Sequence, residues 1–274
     1  MLIYHFASNQ LKEDFTLILA KSKHALAVLS LSVLLSLSAQ ATVVEVQTIL
    51  GPIEVNLFDE ATPATVENFL NYVNSGAYVN NVVHRVEAGF VVQAGGFQYN
   101  GQVPVDFDAV PAGTPVVNEP ELSNVRGTIA MAKLGGDPNS ATSQWFFNLS
   151  NNSANLDAQN GGFTVFGQVI GDGMDVVDAI AAISRYNAGG AFTSWPLRDY
   201  DGSSDIVEEN LVLITDVVVT DATVVTNSQL NPVLNTSNTP NTPTDGGDSG
   251  SGGGSVTWLL ALLGLGLVCK RADV

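Results

Sequence analysis

The sequence predicts a mainly β fold, a barrel or a sandwich, with two α-helices. Three observations support this class. Segments in which apolar and polar residues alternate recur through residues 42–222. Only two segments have the period of a helix, and helices do not alternate with strands as they would in a parallel α/β sheet.

The first predicted elements are a β-hairpin and a helix. Residues 42–56 alternate in the manner of strands on both sides of a turn at Leu50-Gly51-Pro52. Thr62 is a suitable N-cap and Pro63 suits the first helical position, so a helix is predicted from there to Gly76. The apolar face of this helix carries Val66, Phe69, Leu70 and Val73.

The later elements are mostly strands. They are predicted at residues 82–93, 127–132, 144–149, 163–170 and 211–220. A second helix is predicted over residues 173–183, because Met174, Val177 and Ile180 recur at helical spacing.

Residues 1–41 are predicted to be an export signal that precedes a folded domain at residues 42–222. Lys21 and Lys23 come before an apolar stretch, and Ala39-Gln40-Ala41 gives a small-x-small cleavage site. The apolar stretch has about 13 residues, which is shorter than the roughly 20 needed to span a bilayer. A cleaved signal is therefore favoured over an anchor.

The C-terminal part of the chain changes composition twice. Residues 223–255 are rich in Asn, Thr, Pro, Ser and Gly, which predicts a flexible linker. Residues 256–274 are predicted to form a short apolar helix with a basic end at Lys270 and Arg271. This layout resembles the GlyGly-CTERM sorting signal, which implies transient membrane contact and delivery to the cell surface or the medium. The alternative is a retained anchor that leaves the domain facing the periplasm.

The composition excludes several classes of function. The formal net charge is −17, which opposes phosphate backbones and argues against nucleic-acid binding. Cys269 is the only cysteine, and His84 is the only histidine after the predicted cleavage site. A His/Cys metal site and an intrachain disulfide are therefore excluded, and a Ser-His-Asp triad would have to use His84. We expect no metal and no cofactor, and we interpret His84 as a packed structural residue.

Residues 83–97, VHRVEAGFVVQAGGF, are the most informative segment. Residues 42–222 contain only five basic side chains against 22 acidic ones, and one of the five, Arg85, lies inside this apolar run. A cation in such a place indicates a buried or half-buried donor that faces a pocket. The alternative is an ion-pair partner for one of the many carboxylates.

Two blocks of sequence, with a shorter third, resemble the cyclophilin-type peptidyl-prolyl cis–trans isomerases of exported bacterial proteins. The first is residues 83–97, and the second is GTIAMAKLGGDPNSATSQWFFN at residues 127–148. Residues 165–167 and 173–177 add the third match, and the likeness covers about residues 43–220. The resemblance implies an eight-stranded, closed antiparallel β-barrel capped by two helices.

The resemblance also implies the site residues. Arg85 matches the catalytic arginine of the family. The residues that match substrate-binding positions are Phe90, Val91, Gln93, Ala132, Lys133, Gln144, Phe146, Asn155, Leu156 and Phe163. Four of these depart from the common pattern: Val91 replaces methionine, Lys133 asparagine, Phe163 histidine and Asn155 an aromatic residue. The change at Asn155 is expected to open one side of the pocket and to weaken cyclosporin binding.

The implied function is non-covalent acceleration of X–Pro bond rotation in exported proteins. We expect a monomer that binds proline-containing peptide segments and acts in the periplasm or at the cell surface. Two alternatives use the same barrel. It could bind proline peptides without turning them over, or it could be a scaffold whose acidic face binds a partner. Loss of activity on replacing Arg85 would distinguish the enzyme from both.

Overall fold

The structure is a computed structural model that describes residues 42–222 and 230–237. The predicted export signal, the C-terminal apolar segment and most of the predicted linker lie outside the described residues. Within the described residues, no helix is long and apolar enough to cross a membrane.

One antiparallel sheet of eleven strands dominates the domain. In chain order its strands are β1 (Val43–Thr48), β2 (Gly51–Leu57), β3 (Asn81–Val82), β4 (Arg85–Glu87), β5 (Val91–Ala94), β6 (Phe97–Tyr99), β7 (Phe107–Ala109), β8 (Thr128–Met131), β9 (Trp145–Asn148), β10 (Val165–Val169) and β13 (Leu213–Asp221). Their spatial order is β4-β5-β9-β8-β10-β2-β1-β13-β3-β6-β7. A separate two-stranded ladder joins β11 (Arg185–Tyr186) to β12 (Trp195–Pro196).

Three α-helices accompany the sheet. They are α1 (Pro63–Asn74), α2 (Ser153–Leu156) and α3 (Gly173–Ala181). Helix α1 lies against β13, and α3 lies against β2. Short 3-10 turns occur at Gln159–Gly161, Gly190–Phe192 and Glu208–Asn210.

The mainly β, antiparallel fold is confirmed, as a curled sheet that forms a half-barrel. The described residues contain eleven strands in the main sheet and three α-helices, where eight and two were expected. Closure of the sheet into a barrel stays a prediction. The extra elements are mostly two to four residues long, too short to produce a recognisable hydrophobic period.

The helix start at Pro63 is confirmed, but the Thr62 side chain does not cap the helix. Thr62 occupies the N-cap position, yet its hydroxyl donates to the Phe58 carbonyl and makes no capping bond. The carboxylate of Glu119 instead accepts the free backbone N–H groups of Ala64 and Thr65, at 3.2 and 2.9 Å. An acidic group there also complements the positive end of the helix dipole.

Strands β5, β8 and β9 contribute alternate residues to two different apolar clusters. The main core takes alternate residues such as Val92, Met131, Trp145 and Phe147. A second apolar cluster takes their neighbours on the opposite face. It consists of Phe58, Val91, Leu122, Ala130, Ala132, Phe146, Leu156, Phe163 and Val165, with half-buried Ala61, Phe90 and Leu230 packed against it. This division follows from the two-residue period of a strand.

Candidate functional site

Strand register places Arg85 beside the second apolar cluster. Arg85 pairs with Gln93, Gln93 with Phe146, and Phe146 with Ala130 across β4, β5, β9 and β8. Side chains of residues paired in this way project from the same face of the sheet. The predicted arginine therefore stands two strands away from the predicted aromatic residue, on the same face.

A chain of hydrogen bonds holds the Arg85 guanidinium. Its Nη1 donates to Gln93 Oε1 at 3.2 Å, and Gln93 Nε2 donates to Gln144 Oε1 at 2.9 Å. Arg85 Nη2 also forms an ion pair with Glu87 Oε1 at 3.2 Å. The side chain of Arg85 is only 9% exposed, whereas that of Glu87 is 39% exposed. The guanidinium is thus anchored at two nitrogens and keeps further N–H donors for another group.

Burial and the Glu87 carboxylate act on the Arg85 charge in opposite directions. Burial lowers the pKa of Arg85 from its ordinary value, because desolvation disfavours the charged form. The negative charge of Glu87 raises the pKa and offsets part of that effect. The result is a cation with little water around it, and its field is stronger than it would be in bulk solvent.

The predicted apolar site residues come together as a continuous surface. Phe90, Val91, Ala132, Phe146, Leu156 and Phe163 all belong to the second apolar cluster or pack against it. The rings of Phe146 and Phe163 meet edge to face, with 5.9 Å between their centroids. Leu156 is held next to Phe163, whose backbone N–H donates to the Leu156 carbonyl at 2.8 Å.

Gly96 makes room for the Gln144 side chain. A Cβ at Gly96 would lie 2.9 Å from Gln144 Cδ and 3.0 Å from its Nε2, which is closer than such atoms approach in proteins. The lack of a side chain at Gly96 therefore leaves room for the Gln144 amide that contacts Gln93. An alanine there would displace the amide that completes the hydrogen-bonded chain.

The Lys133 side chain makes its contacts within the protein. Its Nζ donates to the backbone carbonyls of Asn160 and Gly162 at 3.0 and 2.6 Å, and lies 4.8 Å from the centroid of the Phe163 ring. Burial lowers its pKa to about 8, and the nearby Asp137 carboxylate opposes that shift. Lys133 therefore ties Asn160 and Gly162 to the segment that follows β8, and its predicted main-chain contact with a peptide stays a prediction.

An open cleft of about 570 Å³ begins beside Gln144. Its lining includes Phe97, Val110, Ala132, Lys133 and Gln144. Of the ten predicted substrate-binding residues, Asn155 is placed least distinctively. It lies half-buried on α2 next to Leu156, and its predicted role stays a prediction.

His84 lies on the face of the sheet opposite Arg85. It is 1% exposed, and its ring packs edge to face against Phe97 and Phe192 at 5.1 and 6.1 Å. Burial, with the Arg85 charge as a second cause, lowers its pKa to about 3. The imidazole is therefore neutral at ordinary pH, in agreement with a structural residue.

Two residues close to the candidate site were not among the predicted ones: Glu87, which pairs with Arg85, and Ser194, which binds the adjacent Val86. Glu87 lies two positions along the same strand, so the two-residue period could have placed it beside Arg85. Ser194 directly precedes β12. Its carbonyl accepts the Val86 N–H at 2.8 Å, and its hydroxyl donates to the Val86 carbonyl at 2.6 Å. The segment that contains Ser194 and β12 therefore covers the free edge of β4.

Comparison with known proteins gives consistent matches. A family model described as cyclophilin type peptidyl-prolyl cis-trans isomerase/CLD matches residues 43–200. The chain is 41% identical over 145 residues to a peptidyl-prolyl cis-trans isomerase of Acinetobacter baylyi, covering 52% of this chain and 73% of that protein. It is 39% identical over 145 residues to peptidyl-prolyl cis-trans isomerase B of Escherichia coli, covering 51% and 84%. A crystal structure of a Cryptosporidium parvum cyclophilin matches with 24% identity and a TM-score of 0.47, over 66% of this chain and 98% of that one.

Proposed function

The chain belongs to the cyclophilin-type peptidyl-prolyl cis–trans isomerase family, and we propose that Arg85 is the group that accelerates rotation about the X–Pro bond. The observation that carries this proposal is the chain Arg85–Gln93–Gln144, which fixes a nearly buried guanidinium beside an apolar surface. Among the described residues, the other arginines are exposed or half-buried.

The reaction requires stabilisation of a twisted amide. Rotation about an X–Pro bond passes through a state without amide resonance, with a barrier of about 20 kcal/mol. In that state the proline nitrogen becomes pyramidal and regains a lone pair. A guanidinium N–H can donate to this lone pair, and the resulting hydrogen bond is absent from both planar states. Such an interaction lowers the barrier without strengthening ground-state binding.

The second apolar cluster supplies the surface for the proline ring. Phe90, Phe146 and Leu156 form the proposed proline pocket, which excludes water from the ring and from the rotating bond. Removal of water strengthens the field of Arg85 at the imide nitrogen. Gln93 and Gln144 keep the guanidinium in one orientation and can bind substrate carbonyls. The peptide on either side of proline would extend into the cleft that Ala132 and the Lys133 main chain line.

The pH dependence of activity tests this mechanism. Arginine stays protonated throughout the neutral range, and the pKa of His84 is about 3, so neither group changes charge between about pH 5.5 and 7. We expect kcat/KM for a proline tetrapeptide to be constant over this range. A step near pH 6.5 would instead show that an imidazole takes part in the reaction.

The same pKa sets the lower limit of that experiment. The unfolded chain protonates His84 near pH 6.5, whereas the folded chain does so near 3, so unfolding takes up a proton between these values. His84 therefore lowers the free energy of unfolding progressively as the pH falls from about 6.5 towards about 3. The protein should therefore be confirmed as folded at each acidic pH.

We propose further that the enzyme is exported and acts as a monomer on proline-containing segments of other exported proteins. The layout of residues 1–41 and the acidic surface of the domain support this setting. Mass spectrometry of the protein recovered from a bacterial periplasm or medium tests the proposal. We expect the mature chain to begin at Thr42. An intact N-terminus starting at Met1 in the cytoplasmic fraction would contradict export.

A further inference from the structure

Residues 230–237, which the composition assigns to a flexible linker, are hydrogen-bonded to the domain. We call them the C-terminal strap. The Ser123 N–H donates to the Val233 carbonyl, and the Asn235 N–H donates to the Glu121 carbonyl, both at 2.8 Å. Leu122 and Leu234 form the antiparallel bridge between these two bonds. The strap thus adds a short strand pairing beside residues 121–123.

Two strap side chains carry the contact beyond the backbone. Leu230 packs against the second apolar cluster. Asn235 is 9% exposed, and its Nδ2 donates to the carbonyls of Pro120 and Asp157 at 3.0 and 2.9 Å. By contrast, the side chains of Val233 and Leu234 are mostly in solvent, with residue exposures of 53% and 69%.

Hydrogen bonds connect Asn235 to the residues that form one wall of the proposed proline pocket. Asp157 follows Leu156, and its carboxylate accepts hydrogen bonds from Ser123 Oγ and from the Asn124 N–H and Nδ2. Asn124 Nδ2 also donates to the Phe163 carbonyl at 3.0 Å. Because Asp157 and Asn124 are buried, these bonds form one connected network with little competition from water.

We propose that the C-terminal strap fixes the position of Leu156 and Phe163, with Asn235 as a positioning residue for the proline pocket. The proposal rests on the isomerase function and on the assigned pocket. Loss of the two Asn235 bonds leaves a buried carbonyl without that donor and frees the Leu156–Phe163 wall to shift. Arg85 and Gln93 lie on β4 and β5, outside this network, so the twisted-state interaction should be unaffected.

The test uses three single variants of the full chain. Asn235→Asp keeps the size of the side chain and an oxygen that can accept the Ser237 N–H, but removes both donated bonds. Leu230→Ala removes the apolar contact. Leu234→Ala is the matched control, because it makes the same change on the same strap at a mostly exposed side chain.

We expect Asn235→Asp and Leu230→Ala to raise KM for a proline tetrapeptide about three- to tenfold with little change in kcat, because the ring is bound alike in the planar and twisted states. Leu234→Ala should leave both constants unchanged. A KM within twofold of wild type in both strap variants, with the protein folded by near-ultraviolet circular dichroism, overturns the proposal. A loss confined to kcat also overturns it.

Amide hydrogen exchange on the unmodified full chain tests docking of the strap separately. The Asn235 and Ser123 N–H groups should be protected, since both donate to backbone carbonyls across the strap contact. Exchange at the rate of an unstructured peptide would overturn the proposal even if the variants did not fold. This measurement does not depend on catalysis. An inactive wild-type protein would therefore refute the proposed function without deciding whether the strap is docked.

Discussion

Replacing Arg85 by alanine is expected to reduce kcat/KM for X–Pro isomerisation by about 100-fold or more. Removal of one preorganised donor to a developing charge typically costs 10² to 10³ in rate. The loss should appear in kcat, because the proposed hydrogen bond exists only in the twisted state. A standard assay on a proline tetrapeptide measures both constants.

Two control variants accompany this experiment. One tests whether a positive charge at position 85 is sufficient, and the other tests whether loss of any arginine lowers the rate. Arg85→Lys keeps a positive charge but loses the planar guanidinium, which binds Gln93 and Glu87 at the same time. We therefore expect an intermediate rate. Arg185→Ala removes an exposed arginine on β11 and should leave the rate unchanged. An Arg85→Ala protein within twofold of an active wild type would contradict the proposed role of Arg85 in the reaction.

Replacing Phe146 by alanine is expected to damage both the pocket and stability. The side chain is buried in the second apolar cluster, where it meets Phe163. Truncation of a buried phenylalanine costs about 3–5 kcal/mol of stability, from lost burial and the cavity left behind. Loss of the ring from the proline pocket should also raise KM by about tenfold or more, which is measured below the melting temperature of the variant.

Phe147→Ala is the matched control for this experiment. Phe147 is the next residue on β9 and is equally buried, but it faces the main core. Its truncation should lower the melting temperature to a similar extent and leave KM near the wild-type value. Equal increases in KM from the two variants would show that Phe146 acts through general packing and not as a pocket residue.

Regular alternation made much of the sheet predictable. Residues 43–57 and 213–221 are long enough to show a two-residue period, and both became strands at close to the predicted bounds. Strands β6 and β7 have three residues each, and their pairing depends on residues eight to twelve positions apart. Such pairing is a tertiary effect, and a local pattern cannot show it.

The candidate site was predictable where the alternation of side chains along a strand decides which residues share a face of the sheet. Arg85, Gln93 and Phe146 are brought together by register alone, and the family resemblance identified all three. The Lys133 side chain was not predictable in this way. Its direction depends on two carbonyls that lie 27 and 29 residues further along the chain. The C-terminal strap is similar, because its composition suits a linker while its partners lie near residues 121–123 and at Asp157.

Parallel measurement of affinity and rate tests the central claim most directly. The dissociation constant of one proline peptide and its bound-state isomerisation rate can both be obtained by nuclear magnetic resonance, for wild type and for Arg85→Ala. We predict that the dissociation constant changes by less than about threefold while the rate falls by about 100-fold or more. An affinity loss as large as the rate loss would contradict the account, because it would mean that Arg85 binds the planar substrate as strongly as the twisted one.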